Sequence, residues 1–262
     1  MSLRGIIFDV DGTILDTMHP QFTWLQSVAK KYNGSFPYTY GPEFLKEYNS
    51  WYQEGGMKGL YTAIGVDFEK HKADIWHDYN YFNNSHDIQP VEGIVDAITE
   101  IHQSTRPDQH KHTGLRLGLH TTKSWKDIAL PLQKAGILHL FDSIVTKDDI
   151  YHLATNGLQQ KNGNIKELLP EEFIKLLEKP NGYGSMLAVQ RLCVPPEEVI
   201  AIEDTVTGLL AYANIPFPDG NKRMYTIGVT WGYQGFAELI TAQPNAIINN
   251  PSELVALVYA KF

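Results

Sequence analysis

The sequence predicts an α/β fold: a doubly wound parallel sheet with a second, all-helical unit inserted after its first strand. Three observations lead there. A short apolar run, LRGIIFD at residues 3–9, reads as a buried strand and ends at a turn. From about 17 to 89 the periodicity is helical only. From Pro90 onward, apolar runs of strand length alternate with helical segments, the pattern of a parallel sheet covered on both faces. The first strand can join that sheet only if the helical block loops out between them. Residues 1–16 and 90–262 therefore form a Rossmann-like core, and 17–89 an inserted cap domain. A length of 262 residues suits two units, since one domain takes roughly 100–200.

In the helical block, Phe22, Leu25, Val28, Ala29 and Tyr32 share one helical face, and Phe68, Ile75, Trp76, Tyr79 and Phe82 another. GGMKG at 55–59 reads as a turn between helices. Beyond Pro90 the order is a helix at 91–104, a strand at 115–120 and a helix at 124–136 stopped by Gly136. Pro131 should kink or split that helix. A strand near 143–146, a helix near 182–192, strand VIAIE at 199–203, a helix from about 206, strand MYTIGV at 224–229 and two terminal helices follow. Three stretches read as insertions: the polar 104–114, the long 150–178 and 214–224.

Composition narrows the function. The formal charge is −8 with no basic cluster long enough to follow a nucleic-acid backbone, so nucleic acid is not an expected partner. No run is long and apolar enough to span a membrane. The first residues, MSLRGIIFDVDG, lack the layout of a secretory signal. Cys193 is the single cysteine and cannot form an internal disulfide, so the expected location is the cytoplasm.

The chemistry-bearing residues stand at strand ends. Asp9 and Asp11, in DVDGT, place two carboxylates where ligands bind in open α/β sheets. A calcium loop would need a further oxygen ligand before its glycine and a glutamate at position 12, and here Gly12 follows Asp11 directly. Thr121 follows the apolar strand LRLGLH, and Glu203-Asp204 ends VIAIE. Lys179-Pro180 lies between them in sequence. Thr121 could instead cap the next helix, but Ser124 is better placed to do so.

Taken together, DVDGTILDT, Thr121, Lys179-Pro180 and Glu203-Asp204 followed by Gly208 resemble, in order, the four motifs of the haloacid dehalogenase-like superfamily. The resemblance covers most of 1–16 and 90–262. The helical block is similar to the cap of its β-phosphoglucomutase and phosphoglycolate phosphatase branch. It implies a magnesium-dependent phosphohydrolase acting on a small phosphorylated substrate. Asp9 would be the nucleophile, forming an aspartyl-phosphate. Asp11 would be the general acid and base. Thr121, Thr122 and Lys179 would hold the phosphoryl oxygens. Asp9, the main-chain carbonyl of Asp11 and Asp204 would ligate Mg²⁺, with Glu203 acting through water or orienting the set.

The chain departs from that branch in places. Thr122 replaces its common asparagine, and Asn181-Gly182-Tyr183 follows Lys179-Pro180. The interval from Thr121 to Lys179 is long, as is 214–224. A sugar-phosphate mutase uses the same core and differs in its cap. A non-catalytic scaffold using 150–178 would tolerate loss of Asp9 or Asp11, and both are present. His110 and His112 read as solvated, and His120 as a satisfied strand histidine. Trp51, Tyr52, Lys58 and Tyr61 flank or lie within GGMKG, and Lys58 or its aromatic neighbours are expected to close over the leaving group.

Overall fold

The computed structural model describes residues 3–105, 114–153, 177–215, 217 and 223–261. His110, His112 and most of the 104–114, 150–178 and 214–224 segments lie outside the described residues.

Six parallel strands form one sheet among these residues. They are β1 (Gly5–Phe8), β4 (Arg116–His120), β5 (Ser143–Val145), β6 (Val199–Glu203), β7 (Tyr225–Val229) and β8 (Ala246–Ile248), ordered β5-β4-β1-β6-β7-β8. Strand β1 pairs with β4 on one side and β6 on the other, with Ile7 opposite both Gly118 and Ala201. The connections leave β1 in opposite directions, so the crevice of an open α/β sheet opens at its C-terminal end.

The twofold period of each strand sorts its side chains between two covered faces. Ile6, Phe8, Leu117, Leu119, Ile200 and Ile202 join one core cluster; Ile7, Val199 and Ala201 join another. On the first face lie α4 (Ile94–Thr105), α5 (Trp125–Lys134) and the terminal helix α8 (Pro251–Tyr259), contributing Ile98, Ile128 and Leu254. On the second lie α6 (Tyr183–Leu192) and α7 (Val206–Ala213), contributing Leu192 and Tyr212. None of the described helices is long and apolar enough to cross a membrane.

Between β1 and β4 the chain forms a two-stranded antiparallel ribbon, β2 (Leu15–Asp16) with β3 (Gln89–Pro90). Three helices lie between the ribbon's strands: α1 (Met18–Lys31), α2 (Pro42–Ala63) and α3 (Phe68–Ser85). Their apolar faces make a cluster of their own, built around Trp24, Leu25, Phe44, Tyr61, Ile64 and Ile75. Asp67 caps α3 by accepting from the Lys70 amide at 3.1 Å.

Three expectations are corrected and one holds. GGMKG does mark a break: two helical stretches meet within α2 at Gly56, whose backbone (φ 57°, ψ −141°) is non-helical and suits glycine, and Trp51 on one side and Leu60 on the other pack into the same cluster. The chain reverses later, between Ala63 and Phe68. Helix α5 runs through Pro131 to Lys134, anchored by the buried Ile128 and Leu132 on either side. Ser124 stands at its N-cap without a side-chain cap bond, and Asp148 Oδ2 instead accepts the Trp125 amide at 2.7 Å. Finally, the two terminal helices are separated by β8, and the first is one turn, Phe236–Leu239, extended by a 3₁₀ turn.

A separate cluster implies separable cap stability. Phe44→Ala should cost about 3–5 kcal/mol locally and speed amide exchange across residues 18–85. Protection in β1, β4 and β6 should persist. Uniform loss of protection would mean that cap and sheet unfold as one unit.

Candidate active site

The sheet's ladder delivers the chemistry. Past β1 the Asp9 amide donates to Ile202 O at 2.9 Å, and past β4 the Thr121 amide donates to Val145 O at 3.0 Å. Each bond extends its strand by one residue, so Asp9 and Thr121 emerge side by side at the carboxyl edge. Glu203 ends β6 and Asp204 follows it. All four are buried. Lys179 enters from the turn before α6, and its buried ammonium meets Asp9 Oδ1 and Glu203 Oε1, each at 2.5 Å, and the His120 carbonyl at 3.3 Å.

Oxygens of Asp9, Glu203 and Asp204 all lie within 4.8 Å of one another. Burial raises the Asp9 carboxyl well above its ordinary range, against the pull of Lys179. Burial, then the charge of Glu203, pushes Asp204 up to about 8. Burial opposes the Lys179 charge too, yet Asp9 and Glu203 hold it protonated well above the usual lysine range. Once ionised, three carboxylates face one ammonium. Surplus negative charge on hard, buried oxygens suits a small divalent cation such as Mg²⁺. Glu203 offers a carboxylate oxygen to this group.

Asp204 is fixed from two sides. Thr13 Oγ1 donates to its Oδ1 at 3.4 Å, and the Tyr233 amide to its Oδ2 at 2.8 Å. Gly12, at φ +77°, lies so close that a Cβ there would sit 2.1 Å from Asp204 Oδ2. The turn after Asp11 thus requires glycine for its backbone and for its space.

Asp11 is turned away from the carboxylate group. It is partly exposed; its Oδ2 accepts from Thr121 Oγ1 at 3.4 Å, and Lys123 Nζ lies 3.4 Å from its Oδ1. Thr121 Oγ1 also accepts the Lys123 amide at 3.1 Å. Lys123 is a site residue that the sequence alone did not reveal. Its signal was its place two residues beyond Thr121, in the loop that leaves the strand end. Thr122, expected to share phosphate binding, is exposed beside it.

Other candidates fall elsewhere. His120 is buried, with Nδ1 3.1 Å from the Tyr212 hydroxyl. Burial, and then Lys179, hold its imidazole well below the usual pKa, so it is a neutral strand histidine supporting Lys179 through its carbonyl. Tyr61 is fully buried and accepts from Trp24 Nε1 at 2.9 Å, so it belongs to the cap core. Lys58 is 65% exposed, 3.9 Å from Glu69 on α3. Trp51 packs into the cap cluster, and Tyr52 is exposed, stacked on Tyr48. Tyr61 is therefore withdrawn from the residues expected to close over the leaving group.

Comparison with known proteins agrees with this geometry. The family model for haloacid dehalogenase-like hydrolases matches residues 6–161. Among curated relatives, pyrophosphatase PpaX of Bacillus velezensis is 22% identical over 259 residues, 99% of this chain and 98% of its own. PpaX of Anoxybacillus flavithermus is 21% identical over 258 residues, 98% of each chain. Among solved structures, a Thermotoga maritima protein assigned as a β-phosphoglucomutase superposes with TM-score 0.65 at 21% identity, over 99% of this chain and 100% of that one. A family hydrolase from Deinococcus radiodurans, solved with phosphate and sodium, gives TM-score 0.61 at 16% identity, over 98% and 96%.

The raised carboxyls set a pH dependence. A group whose pKa is higher in the folded chain stabilises fully below its unfolded value, about 4, and that contribution is lost as pH rises through the folded value, about 8 for Asp204. Metal-free protein should therefore lose Tm between about pH 4 and 8, and Asp204→Asn should flatten the decline. Mg²⁺ at about 100 times its Kd should return about 2.7 kcal/mol near pH 8. A melting temperature that rises through this window would contradict the burial of these acids.

Proposed function

The chain belongs to the haloacid dehalogenase-like hydrolases, and on that footing we propose that it is a Mg²⁺-dependent phosphatase hydrolysing a small phosphorylated metabolite through an aspartyl-phosphate on Asp9. One observation carries the reading. Asp9 sits in a buried group with Glu203, Asp204 and Lys179, while Asp11 stands just outside it with its own partners.

The division fits two-step transfer. A phosphate monoester is anionic, so the site must supply positive charge and position more than reactivity. Mg²⁺ held by Asp9, Glu203 or Asp204, and by the main-chain carbonyl of Asp11, would offset phosphoryl charge. Asp9 attacks phosphorus as the bond to the leaving oxygen breaks, and the Asp11 carboxyl delivers its proton to that oxygen. Asp11, now a carboxylate, takes a proton from the water that attacks the aspartyl-phosphate. Phosphate leaves and both side chains return to their starting state. Lys179 neutralises Asp9 and the transferring oxygens, and Thr121 and Lys123 hold Asp11 in place. We extend the phosphoryl grip to the Thr121 hydroxyl and to Thr122. The helices at 18–85 act as the cap, and the single cysteine supports a cytoplasmic setting.

The full-length relatives named above are pyrophosphatases, which makes inorganic pyrophosphate the first physiological substrate to assay. Accumulation of a rearranged sugar phosphate without net phosphate release would instead favour the mutase reading.

Asp9→Asn should abolish Mg²⁺-dependent turnover of p-nitrophenyl phosphate without unfolding the chain; normal activity in the folded variant would overturn the mechanism. Asp11→Asn should lower the rate by about 10²–10⁴ while calorimetry still detects Mg²⁺ binding. Loss of that binding would make the Asp11 side chain a ligand.

A further inference from the structure

The turn from Thr230 to Gln234, which follows β7, carries no motif in the sequence, yet it touches the turn after Asp11, Asp204 and the helical block. Trp231 Nε1 donates to the Thr13 carbonyl at 3.1 Å, in the turn that carries Asp9 and Asp11. Gly232 passes so close to Asp204 that a Cβ would lie 2.3 Å from its Oδ2. Gln234 Oε1 accepts the first amide of α7, from Val206, at 2.6 Å. Between them, Tyr233 makes three directed bonds. Its amide donates to Asp204 Oδ2 at 2.8 Å, its carbonyl accepts from Asn49 Nδ2 at 2.6 Å, and its hydroxyl bonds Thr17 Oγ1 at 2.8 Å. Asn49 lies on α2, and Thr17 directly precedes α1. The Tyr233 ring packs against the cap cluster, although the residue belongs to the core.

We propose that Tyr233 is a positioning residue that couples the cap to Asp204: the Asn49 bond seats the Tyr233 main chain, and that main chain aims the carboxylate. The amide and the carbonyl of one residue meet the acidic group and the cap. Lifting α2 breaks the Asn49 bond and releases the residue that orients Asp204; a ligand that engages Asp204 holds the same residue for Asn49. Coupling of this kind is reciprocal. The inference rests on the proposed Mg²⁺ site and adds a cap residue that touches none of its ligands.

The test is Mg²⁺ titration by calorimetry on the full chain without substrate, using Asn49→Ala and Asn49→Leu. Leucine keeps much of the volume of asparagine but has no side-chain N–H. Both variants should bind Mg²⁺ about two- to tenfold more weakly, the factor expected for one lost hydrogen bond. In the unmodified chain Mg²⁺ should slow amide exchange along α2, and in Asn49→Leu this effect should disappear. Unchanged affinity in both variants overturns the coupling. So does an Asn49→Leu protein that behaves normally while Asn49→Ala does not, since packing alone would explain that. An unmodified chain that binds no Mg²⁺ overturns both this inference and the proposed metal dependence. One that binds Mg²⁺ and turns over p-nitrophenyl phosphate keeps the proposed function, so that unchanged affinity in the variants then counts against the Asn49–Tyr233 coupling alone.

Discussion

Three carboxylates gathered in a buried pocket repel one another and lose their hydration, and the surrounding architecture answers that cost. An isolated buried carboxylate is expensive enough that it normally takes up a proton instead. Lys179 offsets part of the cost by standing between Asp9 and Glu203, with its remaining capacity turned to the His120 carbonyl. Breaking such a group by removing one partner leaves a charge without compensation. The pocket is therefore stable only as a set, and the set remains short of positive charge. That deficit suits a cation, which would in turn offset the charge of a phosphoryl group.

The fold supplies what the set needs, in a fixed order. Parallel strands give β1, β4 and β6 a common carboxyl edge, so three separate stretches of chain end at one place. Main-chain bonds beyond the strands hold Asp9 and Thr121 in register. Close approach then replaces side chains with bare backbone, as at Gly12, where the chain must pass the Asp204 carboxylate. Amides from these turns do what solvent would otherwise do, and they cost no reorganisation when charge shifts. Asp11 escapes this burial: it is partly exposed and faces Thr121 and Lys123, as the proposed proton carrier would need.

The core was legible because strands announce themselves by short apolar runs, and because Asp9, Thr121 and Glu203-Asp204 sit directly beside such runs. Lys179 could be read only through the resemblance, since nothing local marks a lysine before a proline as buried. Edge strand β8 was missed: AII is three residues long and looks like the end of a helix. Tyr61 was misread for a related reason. Helical spacing tells which residues share a face but not what that face meets, and Tyr61 turns inward to Trp24. Tyr233 and Asn49 carry no sequence signal at all. Their importance lies in the main-chain atoms of Tyr233, which every residue except proline has in common.

The strength of the cap attachment bears on turnover. The helical block joins the core through one two-residue ribbon, which places its two connections side by side, as a hinge would need. Across the gap, the Tyr233 contacts are neutral: an amide to a carbonyl and a hydroxyl to a hydroxyl. Each is worth about 0.5–1.5 kcal/mol net, so together they favour closure by a few kcal/mol at most. A desolvated ion pair in the same place could exceed that and, once made, would be costly to break. Substrate must enter and phosphate must leave on each cycle, and lid opening limits many enzymes that close over their substrates. Weak, directional bonds would suit a lid that excludes water during transfer and still opens on the microsecond to millisecond scale. Routing one of them through the residue that holds Asp204 makes closure and metal geometry parts of the same event.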